Sequence, residues 1–266
     1  MICCVDWLTF SKKCEEVTWI EAIKETENFL PGVEFGELGW KESNGRYMFD
    51  NKLSYEGCEI LYNGNPKAGI QDLLCFNLTG KGCRTYETYN KGDIMSLLKK
   101  ASVEGYKVSR LDLAVDDREG VLDIDQMYKL SAMRYDKQGH LSDNCYWWGK
   151  TKVNSRQQGS DGCTMYFGSP TSDIRIRIYD KAAEQGIDGH WVRVEVVLRK
   201  EKAQVALEQI IADNQPGKIF ASILRQQLFF SQSLLQNLTS RTLTGIVKPI
   251  FATGGTIFLN TPHRLL

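Results

Sequence analysis

The sequence predicts an α+β fold on a mostly antiparallel central sheet with flanking helices. Strand-like segments come in adjacent pairs, helical segments stand between the pairs, and no internal repeat or clean linker interrupts the chain. The 266 residues are 42% hydrophobic and 25% charged. That is ordinary globular composition and excludes collagenous, low-complexity and wholly disordered readings.

The elements follow in order. Residues 2–10 read as a short strand ending in Trp7-Leu8-Thr9-Phe10. Thr18 followed by Glu21 is a capping-box pattern, and Ile20, Ile23 and Leu30 keep helical spacing, so 19–29 is read as a helix. Between 33 and 65, Tyr47, Phe49, Leu53, Ile60 and Tyr62 mark strands, with turns expected at Asn44-Gly45 and Asn63-Gly64. Residues 72–79 make a further apolar strand. Asp93 caps a helix carrying Ile94, Leu97, Leu98 and Ala101 on one face. Residues 108–116 read as a strand and 123–134 as a helix capped by Asp123. The polar, turn-rich stretch 153–162 reads as a mobile loop. Strands follow at 163–168, 173–181 and 190–199, then helices at 200–213 and 217–231. The apolar residues of those helices, among them Leu207, Ile210, Phe220 and Leu224, are read as ordinary core.

Eight cysteines are present and none forms a CxxC pair, so the usual zinc and thioredoxin spacings are missing. No secretion signal is visible and no run approaches the ~18 apolar residues of a membrane span. Reduced thiols in a cytosolic protein are the expectation.

Lys plus Arg and Asp plus Glu are both 33, a net charge of zero, which by itself argues against a protein held to nucleic acid by bulk charge. The sum hides a gradient. Residues 1–60 carry 6 basic and 12 acidic side chains, whereas residues 199–266 carry 8 and 3. The acidic front and basic tail describe a segregated chain.

Three strands have unusual faces, because a strand points alternate side chains to opposite sides. In Arg110–Asp117, Leu111, Leu113 and Val115 share one face and Arg110, Asp112, Ala114 and Asp116 the other. In Ile174–Lys181, three isoleucines oppose Arg175, Arg177, Tyr179 and Lys181. This sets a tyrosine hydroxyl among three cations, which suits a phosphate ligand and is expected to favour the phenolate. In Trp191–Arg199, Val192, Val194, Val196 and Leu198 oppose Trp191, Arg193, Glu195, Val197 and Arg199.

For any one strand, a solvated polar face is the commoner explanation. Shared on one sheet, the three faces would combine carboxylates, arginines and a tyrosine. That set suits metal-assisted attack of tyrosine on a phosphodiester, with carboxylates holding Mg²⁺ or Mn²⁺ and arginines offsetting developing charge. Asp112 and Asp116 stand roughly 13 Å apart along an extended strand and cannot share one ion unless it bends. Asp112 and Glu195 are therefore the preferred ligands, with Asp116 left to orient an Arg or Lys partner or to sit at the rim. Tyr166 is a second strand tyrosine, set aside for its less charged surroundings. His140, His190 and His263 are scattered and form no His-hydrophobic-His motif.

Arg110 to Asp117 (RLDLAVDD), Tyr166-Phe-Gly-Ser169 followed by Arg-Ile-Tyr179-Asp-Lys181-Ala-Ala-Glu184-Gln185, and Arg193-Val-Glu195-Val-Val-Leu-Arg199 stand in the order and spacing of rolling-circle replication initiators. Val5-Asp6-Trp7-Leu8, Gly80–Arg84 and Tyr86-Glu87 resemble that family's N-terminal part. The resemblance covers about residues 5–230 and extends to filamentous-phage replication initiation factors and relaxases of conjugative elements.

The resemblance implies a palm/RRM-like nickase fold and divalent-metal-dependent nicking and closing of one strand at a double-strand origin. A tyrosine stays on the 5′ phosphate and leaves a 3′ hydroxyl for polymerase. By motif match Tyr179 is the nucleophile, Asp112, Asp116 and Glu195 are the acidic metal positions, and Lys181 and Glu184 contact phosphate and orient. Arg110, Arg175, Arg177, Arg193, Arg199, Lys81 and Arg84 are the expected DNA-phosphate contacts. Residues 1–235 are expected to form the nicking–closing domain, with sub-lobes meeting near 90–105, and 236–266 a C-terminal extension.

Origin DNA as duplex, hairpin and single strand, a second copy of the chain, and a host helicase and polymerase are the implied partners, in the cytoplasm of a bacterial host and without a membrane. A conjugative relaxase, an inactive sequence-specific DNA-binding regulator and a water-using metal nuclease are the alternatives.

Overall fold

The computed structural model describes residues 3–14, 17–89, 93–132, 145–147, 155–159 and 162–230. The expected extension 236–266, the part of the basic tail beyond residue 230, His140 and His263 lie outside them. The chain forms two compact units. One holds Val5–Asp112 and Leu198–Asn214, and the other holds the described residues of Leu113–Val197 together with residues 3–4 and 215–230.

In the first unit, β1 (Cys3–Lys13) leads to α1 (Trp19–Phe29), whose start is capped as expected by Thr18, its side chain accepting from the Glu21 N–H. Strands β2 (Lys41–Asn44), β3 (Phe49–Tyr55), β4 (Cys58–Gly64) and β5 (Leu73–Leu78) follow. Then come helices α2 (Gly80–Tyr89) and α3 (Ile94–Val103), and strand β6 (Lys107–Asp117), which the unit boundary divides. The strand order is β2-β3-β4-β5-β1-β6, antiparallel from β2 to β1.

Two readings need correction here. The β3–β4 turn is at Glu56-Gly57, both with positive φ, joining the paired residues Tyr55 and Cys58, whereas Asn63-Gly64 lies inside β4. That is the two-residue hairpin turn whose twist matches the strands, here built without the usual Asn. Helix α2 went unread because it opens on two glycines. Gly82 is there for packing, since a Cβ would meet the Gly57 carbonyl oxygen at 2.3 Å. Phe10, Phe29, Phe76 and Tyr106 interlock at centroid distances of 4.1–6.0 Å and centre this unit's core.

In the second unit, β6 continues from Leu113. Helix α4 (Ile124–Ala132) is capped by Asp123, which accepts from the Gln126 N–H at 2.9 Å. Strands β7 (Cys145–Trp147), β8 (Ser155–Gly159), β9 (Gly162–Phe167) and β10 (Ile174–Asp180), helix α5 (Lys181–Gln185) and strand β11 (Val192–Arg199) follow. The order is β6-β11-β10-β9-β8. Much of the expected loop at 153–162 is therefore a strand. β8 is polar throughout, and its pairing with β9 from Ser155↔Tyr166 to Gly159↔Gly162 supplies the order that its sequence pattern does not.

Helix α6 (Glu201–Asp213) belongs to the first unit, and α7 (Pro216–Gln227) to the second. The last expected helix is shorter than read, because Leu228–Phe230 forms β12, paired with β7. The fold is thus α+β on a mostly antiparallel sheet.

Ile176, Ile178, Met165, Phe167 and Val196 are buried in the second unit, each contributing roughly 1.5–3 kcal/mol relative to exposure. β11 is buried along Val192–Leu198 on both faces, so the face carrying Arg193 and Glu195 is not solvated. Burial pushes the thiols of Cys58 and Cys75 up to about 12. No described helix is long and apolar enough to cross a membrane.

Candidate active site

Tyr179 is the penultimate residue of β10, where the chain turns from strand to helix. Asp180 caps α5 by accepting from the Ala183 N–H at 2.9 Å. The Trp191 carbonyl accepts from the Lys181 N–H at 2.7 Å and the Ala182 N–H at 3.2 Å, tying the start of α5 to the start of β11. Gly162, the first residue of β9, packs closely under this corner. Its φ is +80°, and a Cβ there would meet the Ala183 Cβ at 2.7 Å and the Asp180 Cβ at 2.9 Å.

The Tyr179 hydroxyl donates to Glu195 Oε1 at 2.6 Å, with both residues buried. The Arg177 guanidinium covers the Tyr179 ring at 3.6 Å from its centroid. Arg177 also donates to Glu184 Oε1 at 3.0 Å and stands 3.7 Å from Glu195 Oε2. Lys181 Nζ lies 5.5 Å from the Tyr179 ring centroid and forms an ion pair with Glu184. Glu184 would be raised by its partial burial, but hydrogen bonds from Lys181 and Arg177 hold it below the ordinary carboxylate range.

The expected phenolate is corrected. Burial comes first and raises the Tyr179 phenol, the Glu195 charge and hydrogen bond raise it further, and Arg177 opposes only in part. The sequence shows the cations beside Tyr179 but not the carboxylate that reaches it from another strand. Two further corrections concern its neighbours. Arg175 stacks on Tyr166 at 4.1 Å rather than on Tyr179, and Arg177 also lies 5.8 Å from the Tyr166 ring. Tyr166, expected in less charged surroundings, thus has two guanidinium groups beside its ring. Tyr179 is distinguished from it by the bond to Glu195.

Asp116 is gripped by Arg193 through two N–H bonds of 2.7 Å, and its Oδ1 also accepts from Trp191 Nε1 at 2.7 Å. Burial alone would raise Asp116, but the bonds from Arg193 and Trp191 hold it below the usual range. Of the two readings open for Asp116, orienting an arginine is the geometry present.

No sequence pattern pairs Asp117 with His190. Asp117 is fully buried and accepts from the Glu119 and Leu122 N–H groups at 3.0 and 2.6 Å, with His190 Nε2 at 3.1 Å. It closes the turn after β6. Its place one residue beyond the alternating acids was the available signal.

The remaining predicted residues lie in the other unit. Asp112 is buried and takes Arg110 Nε at 3.0 Å and Nη2 at 2.6 Å, while Arg110 stacks on Trp7 at 4.0 Å. Arg84 donates to the Val5 carbonyl at 2.5 Å and pairs with Glu87, Lys81 pairs with Glu56, and Arg199 ends β11 half-buried. Among the described residues, no three His, Cys, Asp or Glu side chains cluster in a way that could hold a metal ion.

Oxygen donors of this kind suit Mg²⁺ or Mn²⁺. Glu195, facing a phenol and a guanidinium, fits that chemistry. Asp116 does not, since three N–H donors occupy a carboxylate with about four acceptor sites.

The sequence model of the family described as replication initiation factor matches residues 106–242, just over half of the chain, and spans β6, β10, α5 and β11. The chain belongs to the replication initiation factor family. NicK of Bacillus subtilis (strain 168), named as a candidate DNA relaxase, is 24% identical to this family member over 248 residues. The match covers 86% of this chain and 64% of NicK, so the chain spans less than two thirds of that relative's length. The rolling-circle replication initiator protein from Geobacillus stearothermophilus is similar in structure, with a TM-score of 0.68, 28% identity and 86% of each chain covered. The Geobacillus stearothermophilus initiator thus shares this chain's fold.

Proposed function

We propose that the chain is a site-specific DNA nickase and strand transferase that starts rolling-circle replication, with Tyr179 as nucleophile. The observation that carries this reading is the buried Tyr179–Glu195 hydrogen bond at 2.6 Å beneath a stacked arginine. A phenol is a poor nucleophile while protonated, and Glu195 is aligned to accept its proton. The Tyr179 oxygen bonds to the scissile phosphorus, the phenolic proton passes to Glu195, and the bond to the 3′ oxygen breaks. That oxygen takes a proton from solvent, giving a 5′-phosphotyrosyl intermediate and a free 3′ hydroxyl. Arg177 and Lys181 balance charge on the phosphate, and Glu184 holds both cations in place.

A bound Mg²⁺ or Mn²⁺ supplies Lewis-acid polarisation of the phosphate. Glu195 is the carboxylate that would hold it. Origin DNA is the substrate, Arg110, Arg175, Arg193 and Arg199 support its phosphates, and a host helicase and polymerase act next. Such a protein works in the bacterial cytoplasm, as a dimer in this reading. The likeness to NicK favours a second reading, a conjugative relaxase using the same chemistry.

The test is a denaturing gel with labelled DNA flanking the gene and Mn²⁺. Wild type forms a covalent adduct, whereas Tyr179→Phe binds the DNA and forms none. Adduct at wild-type level in that variant overturns the assignment.

A further inference from the structure

Trp191 is held more firmly than a half-buried indole requires. Its carbonyl is tied to the two N–H groups that open α5, those of Lys181 and Ala182, starting two residues after Tyr179. Its ring N–H is tied to Asp116, itself locked by Arg193. These bonds use the backbone and the ring edge and engage neither face of the ring. Cations gather at the ring instead: the exposed Arg118 lies 3.6 Å from its centroid, Arg193 5.8 Å and Lys181 6.0 Å. Lys181 is the same ammonium that stands 5.5 Å from the Tyr179 ring, so one cation serves both aromatic groups. A rigid indole with a cation on its face and phosphate-binding charge beside it is the combination that binds single-stranded nucleic acid through base stacking.

We propose that Trp191 and Arg118 form the stacking platform for the nucleobase next to the scissile phosphate, with Asp116 and Arg193 as positioning residues that fix the indole. This rests on the reading of Tyr179 as the nicking residue. With the phosphate at Lys181, the adjoining base meets the indole, and the Arg118 guanidinium closes over it or gives way to it. Asp116 is thereby explained as an anchor of the platform, in place of the metal position implied by its motif. Stacking tolerates any base, so the platform sets strand register and not origin sequence.

The test compares equilibrium binding of a short oligothymidylate with that of an abasic backbone of equal length, without metal, so that cleavage plays no part. Wild type prefers the base-bearing strand. Trp191→Leu loses about 5- to 150-fold of that preference, the worth of one stacked base. Trp191→Phe keeps an aromatic face and retains most of it. An unchanged preference in Trp191→Leu overturns the platform, as does a loss in Trp191→Phe as complete as in the leucine variant. Photocrosslinking of wild type to a strand carrying 5-iodouracil needs no variant to fold. The expected crosslink is at Trp191, and crosslinks confined to other residues overturn the proposal. Absence of a Tyr179 adduct in the nicking assay would sink the nickase reading and leave these binding results standing, so the two failures are distinguishable.

Discussion

At the level of single residues, the site is a set of paired opposites. Tyr179 faces Glu195, Arg177 bridges Glu195 and Glu184, and Asp116 grips Arg193. Glu195→Gln keeps the shape and removes the proton acceptor, so adduct formation should fall at least 100-fold while DNA binding changes little, as single-turnover assays and binding isotherms would show. Asp116→Asn leaves the Arg193 guanidinium underpaired in a largely buried setting and should cost about 1–3 kcal/mol in denaturant unfolding. The sign of its pH dependence follows from the shift. The Asp116 carboxyl is lowered in the folded state, so its stabilisation is present above the unfolded carboxylate range and is lost as pH falls through the folded value. Wild type and Asp116→Asn should therefore converge in stability on acidification, and a constant gap between them would contradict this pairing. Alternation in the sequence places Arg177, Tyr179, Asp116, Arg193 and Glu195 on polar strand faces, whereas Glu184 enters only through the family resemblance. The pairings were not legible, because Tyr179 and Glu195 lie sixteen residues apart on neighbouring strands and no local pattern records which side chains meet across a sheet.

The strand-to-helix corner is the element that turns a tyrosine into a candidate nucleophile. β10 delivers Tyr179, Asp180 starts α5, and Trp191 receives the helix's first N–H groups. Gly162 is the close-packing point beneath. Gly162→Ala adds a Cβ at 2.7 Å from Ala183 and at positive φ, so it should destabilise by about 1–3 kcal/mol and lower the adduct yield without any change in site chemistry. Thermal melts with adduct assays check this, and an unperturbed melt would show that the corner tolerates the displacement. Strands with strict alternation, such as β10, were readable, as were helices with capping signals such as Thr18 and Asp123. β8, entirely polar, and α2, opening on two glycines, were not, because β8 is ordered by pairing with β9 and α2 by packing on Gly57, and neither partner is recorded in the element's own residue pattern.

For the molecule as a whole, a net charge of zero first argued against a nucleic-acid partner. In the structure cations are held against acids, Arg110 by Asp112, Arg193 by Asp116, and both Arg177 and Lys181 by Glu184. Such pairing aims a guanidinium or ammonium group without adding bulk charge. Binding to DNA should still be salt-dependent. With roughly five phosphates neutralised, the slope of log K against log salt is expected near −4 to −5. A slope near zero would refute phosphate-dominated binding. Charge segregation along the chain was legible in its composition, whereas local neutralisation needed the fold.

Mapping the covalent adduct tests the central claim most directly. Wild-type protein is trapped on labelled DNA with Mn²⁺, digested with trypsin, and the labelled fragment sequenced by mass spectrometry. The label is expected on the fragment Ile178–Lys181, which contains Tyr179 as its only tyrosine. Label on the fragment containing Tyr166, or on a fragment without either tyrosine, would contradict the assignment.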